Sequence, residues 1–168
     1  MAPRILGLHH VTATVDEAQP DLDFCIDLLG LRLVKKTVNF DNHNVFHFYY
    51  GTELGAPGTI WTTFPYAGYG VREGIKGTGQ VITTAFSVPT GSLEFWWHRL
   101  KEKGVVVADI EAYFKEPAIA FSDPSGLRFV DGRGHMMQTE DARSHVPILD
   151  RRPLIQPGSR LDPGFGDE

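Results

Sequence analysis

Two adjacent histidines, His9 and His10, stand inside the alternating stretch LGLHHVTATV at residues 6–15. Imidazole both ligates metal ions and exchanges protons near neutral pH, so this pair is the first place to look for chemistry. A strand sends neighbouring side chains to opposite faces. The alternation predicts Leu6, Leu8, His10, Thr12 and Thr14 on one face of a strand over 5–15, with His9, Val11, Ala13 and Val15 on the other. A bend or bulge near Gly7 would be needed to bring both histidines to one side. One imidazole does not hold iron, because a non-haem Fe(II) site takes two histidines and a carboxylate.

The other polar and aromatic candidates have ordinary roles available to them. His47, in VFHFYY, could face a pocket, but a half-buried strand histidine with a hydrogen-bond partner is the expected state. His43 and His98 read as solvated loop and helix residues, and Glu53 and Glu140 as charges in turns. His135 and His145 could bind a metal, yet no partner of suitable spacing stands near them. Tyr49, Tyr50, Trp61 and Phe64 could stack on an aromatic ring or simply fill a core. Lys35 and Lys36 mark an exposed strand edge, and Cys25 falls on a buried helix face as a packing residue.

The elements that must position these residues repeat along the chain. After the first strand, Pro20 suits a first helical turn, and Asp21 and Asp23 complement its positive end. Leu22, Cys25, Ile26 and Leu29 follow at helical spacing and Gly30 stops the run. LRLVKKTVNF, NVFHFYYG and PGTIWTTFPY are then three strands, giving the order βαβββ. A glycine-rich bridge occupies 65–79, with no phosphate-binding spacing and no helix after it. The pattern then restarts: QVITTAFSV is a strand, and Ser92 caps a helix burying Leu93, Trp96, Trp97 and Leu100, which Gly104 ends. VVVADIEAYF, PAIAFSDPSG and LRFVDGRG are the last three strands.

HHVTATV aligns over ITTAFSV and PGTIWTT over SGLRFVD, so the fold class expected is α+β with two βαβββ modules, at about 5–64 and 80–132. Two such sheets can enclose a cavity with four pseudo-equivalent inward positions, His10, Thr62, Thr83 and Val130. A Pro- and Gly-rich tail covers 148–168, leaving one domain at 1–147.

Composition bounds the function. The chain has 168 residues, enough for a proper core, and a net charge of -5 that argues against nucleic acid as a partner. Its apolar runs are too short to span a bilayer, a lone cysteine excludes an internal disulfide framework, and no signal peptide is read at the start. A cytoplasmic setting is the expectation.

GLHHVTATV at the head of a duplicated βαβββ unit resembles the vicinal oxygen chelate superfamily of glyoxalase I, bleomycin-resistance proteins and extradiol dioxygenases. GLHHVTA, LLGLRLVKKTVNFD, YYGTELGAPGTIWTTFP and FSVPTGSLEFWW resemble more narrowly the hydroquinone-type ring-cleaving dioxygenases, over about 5–147. The resemblance implies that His10 is a ligand to Fe(II), and that His9 and Thr12 lie near an aromatic substrate cleaved with O2. It also implies four modules and two further ligands, a histidine and a glutamate, from the last of them. This chain reads as an N-terminal half, so a partner polypeptide or oligomer is expected to complete the metal site. The alternatives are a metal-free module that binds a flat ligand, as in the bleomycin-resistance branch, and a non-catalytic partner subunit.

Overall fold

The computed structural model describes residues 4–72, 74–75 and 77–132, so His135, Glu140, His145 and the proline-rich tail lie outside the described residues. Two compact units divide between Val71 and Arg72. No helix among the described residues is long and apolar enough to cross a membrane.

The first unit contains β1 (His10–Val15), α1 (Ala18–Leu22), β2 (Arg32–Val38), β3 (Phe46–Gly51) and β4 (Ile60–Pro65), in the sheet order β1-β4-β3-β2. The second contains β5 (Thr84–Ser87), α2 (Leu93–Glu102), β6 (Glu111–Tyr113), β7 (Glu116–Ser122) and β8 (Arg128–Gly132), in the order β5-β8-β7-β6. In both sheets the first strand pairs parallel with the last, and the other pairings are antiparallel. The same crossover made twice is the two-module α+β fold expected from the repeat.

Capping is duplicated too. In the first unit the helix continues past α1 as a wider π-wound turn over Asp23–Leu28, and Gly30 follows at φ +71. Leu31 N–H then bonds back to Cys25 O at 2.9 Å. After α2, Gly104 takes φ +77 and Val105 N–H bonds back to Leu100 O at 3.0 Å. Both glycines supply the left-handed residue that lets the chain satisfy the last helical carbonyls.

Several local expectations change. The first strand begins at His10, and Ile5, Leu6 and Leu8 ahead of it are exposed. Ser92 precedes α2 without a side-chain cap, because its hydroxyl donates to Pro89 O at 2.7 Å. VVVADIEAYF is strand only at its end, with a single bridge from Val107 to Phe121 before it. β6 and β7 are joined through Phe114 and Lys115 at φ 48 and 70, so this hairpin turn is built from two non-glycine residues in left-handed conformation.

The core of the first unit lies between the helical segment and one sheet face. Val15, Leu22, Phe24, Cys25, Leu28, Phe48, Tyr50 and Trp61 are buried there. In β2 the register shifts between Leu33 and Lys35, so Val34 bulges out of the ladder. Its methyl groups come to rest over Gly55, where φ is +56 and an added Cβ would stand 2.8 Å from Val34 Cγ1. Gly55→Ala therefore combines backbone strain with a clash. It is expected to lower the stability of this unit by about 1–2 kcal/mol, read as a reduced urea midpoint at unchanged slope.

Candidate functional site

Alternation along β1 sets the site. His10, Thr12 and Thr14 are its more exposed positions, while Val11, Ala13 and Val15 turn toward the core. Cross-strand register extends that face: Thr12 pairs with Thr62, Thr62 with Tyr49, and Lys35 with Tyr49. Thr62 Oγ1 donates to Thr12 Oγ1 at 2.8 Å, the His10 and Tyr49 ring centroids are 6.4 Å apart, and Lys35 Nζ lies 5.6 Å from the Tyr49 ring. One face of one sheet thus gathers imidazole, phenol, two hydroxyls and an ammonium.

His9 precedes the first residue of the strand and escapes its pleat. Its carbonyl accepts from Gly58 N–H at 2.7 Å, which pins the chain to the turn before β4. The His9 ring stands edge-on to His10, with the two Nδ1 atoms 2.9 Å apart. At that distance one Nδ1 carries the proton and the other accepts it. His9 is therefore a direct partner of His10, which strict alternation over 5–15 did not foresee.

His47 departs furthest from its sequence reading. It is 7% exposed, and neither Nδ1 nor Nε2 has a hydrogen-bond partner among the described residues. The ring is held between Tyr49 and Phe64, at centroid distances of 4.1 and 4.0 Å. Burial, followed by the nearby His10 and Lys35 charges, lowers its pKa from the usual histidine value, so at neutral pH the ring is uncharged. The HFY spacing was the available signal, since residues 47 and 49 must share a face.

The remaining candidates separate by face and by unit. Tyr50 and Trp61 lie in the core, away from His10. Lys35 and Lys36 do sit on an edge strand, with Lys36 Nζ 4.3 Å from the Phe46 ring. Asp21 lies in the first turn of α1, as expected, and is buried there with its carboxylate bound to Tyr50 and Thr63. In the second unit Val130 is buried in β8, and Thr83 falls just before β5. Among the described residues no three His, Cys, Asp or Glu side chains come together, so these residues do not by themselves assemble a three-ligand metal site.

Known proteins agree with this architecture. The chain is 48% identical over 127 residues to a Bacillus subtilis (strain 168) protein named "Putative ring-cleaving dioxygenase MhqO", covering 76% of this chain and 40% of that one. It is 40% identical over 124 residues to a chlorohydroquinone/hydroquinone 1,2-dioxygenase of Sphingobium indicum, covering 72% of this chain and 38% of the relative. The chain thus spans about two fifths of the length of these relatives. A crystal structure from Bacillus subtilis subsp. subtilis str. 168, described as a "putative dioxygenase", superposes with a TM-score of 0.72 at 45% identity, covering 79% of this chain and 42% of that one. The family model for this fold matches residues 7–130, and the chain belongs to the Glyoxalase/Bleomycin resistance protein/Dioxygenase superfamily.

Proposed function

We propose that this chain supplies part of the active site of a ring-cleaving dioxygenase that uses non-haem Fe(II) and O2 on a dihydroxylated aromatic compound. His10 is one iron ligand, and His9 and Thr12 lie against the substrate. The observation that carries the reading is the shared sheet face of His10, Thr12, Thr62 and Tyr49, with His9 bonded to His10. Its support is identity of 40–48% to proteins named as hydroquinone and ring-cleaving dioxygenases.

The protein's own residues have definite tasks in this reading. With the shared proton on His10 Nδ1, His10 Nε2 keeps the lone pair that a metal requires. His9 then carries its proton on Nε2, where it holds a phenolic oxygen of the substrate. Thr12 Oγ1 already accepts from Thr62, which leaves its own proton to donate to the substrate. Iron, when bound, supplies Lewis acidity and a template for bringing ring and dioxygen together. A histidine and a carboxylate from outside the described residues complete its ligand set.

Anaerobic iron titration tests this, with the chain alone and then mixed with the part of MhqO outside the matched segment. Iron binding and hydroquinone cleavage are expected only in the mixture. His10→Ala is expected to abolish both, whereas His9→Ala keeps iron and loses turnover. Stoichiometric iron in the His10→Ala mixture would remove His10 from the site. Hydroquinone binding that is indifferent to iron in the mixture would favour a metal-free binding module.

A further inference from the structure

We propose that His47 is the hydrogen-bonding anchor for a ring hydroxyl of a flat phenolic ligand on the His10 face, a role that rests on the aromatic-diol reading above. A neutral imidazole has one N–H donor and one lone-pair acceptor. Leaving either without a partner in a buried setting costs about 1–3 kcal/mol. Both His47 nitrogens are in that state, although the slot between Tyr49 and Phe64 would accept a phenyl ring of similar shape at no polar cost.

The surroundings select the chemistry of the partner. Tyr49 and Phe64 give the slot aromatic walls, and the charged groups that act on His47 among the described residues are His10 and Lys35, with no carboxylate. Lys35, on the strand beyond Tyr49, adds positive charge on the same face. A phenolic hydroxyl both donates and accepts, its ring stacks on aromatic walls, and a nearby ammonium favours any phenolate character. Hydroquinone presents such a group at each end of the ring. One hydroxyl would then engage His47, leaving the other for the sheet face that carries His10 and Thr12. His47 is in this sense a specificity-determining residue, discriminating ring hydroxyls from ethers.

The test uses chelator-treated protein under anaerobic conditions, so no turnover is involved. Hydroquinone and 1,4-dimethoxybenzene are compared by calorimetry, and histidine ring nitrogens are followed by 15N NMR. The wild-type chain is expected to prefer hydroquinone about tenfold, as one or two hydrogen bonds supply, and titration should shift the His47 ring nitrogens. His47→Phe should erase the preference and leave the dimethoxy compound unaffected, while His47→Gln, which keeps a donor and an acceptor, should restore part of it. The NMR arm stands even where a variant fails to fold. Unchanged His47 resonances at saturating hydroquinone, or a preference surviving in His47→Phe, would overturn the proposal. Iron binding in the partner mixture reports separately on His10: its loss with an intact His47 dependence would sink the dioxygenase reading alone, and its retention without that dependence would sink only this one.

Discussion

Unfolding measurements across a pH series are expected to show the second unit losing stability as pH rises from about 4 to about 7, and Asp131 is the reason. Its side chain is 2% exposed on β8, and burial alone pushes its carboxyl up to about 7 from an ordinary value of 3.8. Below the unfolded value both states hold the proton and no penalty arises. Between the two values the folded state keeps a proton that the unfolded state has released, so each pH unit removes about 1.4 kcal/mol of stability. Above the folded value the loss levels off at a total on the order of 4 kcal/mol. This runs against ordinary acid denaturation, where buried carboxylates are held ionised. Asp131→Asn should flatten the profile, leaving stability at about pH 4 and below little changed and raising it above pH 7 by most of that amount. Parallel profiles for the two proteins in urea titrations would show that burial is not what governs this carboxyl.

The position of Asp131 also shows how far the sequence could be read. Aligning PGTIWTT over SGLRFVD placed Asp131 opposite Thr63, and the two do occupy matching register positions: Thr63 pairs with Ala13 and Phe48, Asp131 with Phe86 and Ile119. Repeated hydrophobic patterning and repeated glycine stops made the module order legible, because both act over a few neighbouring residues. The same locality made His10 and Thr12 legible as one face. The relation of His9 to His10 was not, because it depends on where the strand begins, which the Gly58 hydrogen bond to His9 decides from far along the chain. His47 was placed on the correct strand but given a hydrogen-bond partner that it lacks among the described residues, since burial without one is a property of the packed sheet. Asp21 was legible as a first-turn helix acid from its nearest neighbours, but its hydrogen-bond partners, residues 50 and 63, lie too far along the chain to be read that way.

Replacing Asp21 by leucine is the other substitution with a large expected effect, here a loss. Asp21 is 3% exposed, and its Oδ2 accepts from Tyr50 OH at 2.7 Å and from Thr63 Oγ1 at 2.6 Å, while Cys25 Sγ donates to Oδ1 at 3.8 Å. Burial raises the Asp21 pKa, and these three donors act in the opposite direction. Tyr50 and Thr63 are both fully buried, so Asp21→Leu strands two hydroxyl donors where water cannot reach them. At about 1–3 kcal/mol for each, the first unit should lose about 2–6 kcal/mol. Asp21→Asn should cost far less, because one amide oxygen can still accept from both hydroxyls. Adding Tyr50→Phe and Thr63→Val to Asp21→Leu should recover most of the loss, since an apolar set of similar shape leaves no donor unpaired. The consequence reaches the opposite sheet face. Tyr49 and Thr62 are the immediate neighbours of Tyr50 and Thr63, and they pair with each other across β3 and β4. A carboxylate that ties residues 50 and 63 to the helix therefore also fixes where Tyr49, His47 and Thr62 stand relative to His10. Asp21→Leu should weaken hydroquinone binding as well as folding, whereas the apolar triple variant should restore both. Recovery of stability without recovery of binding would show that the carboxylate does more than hold the register.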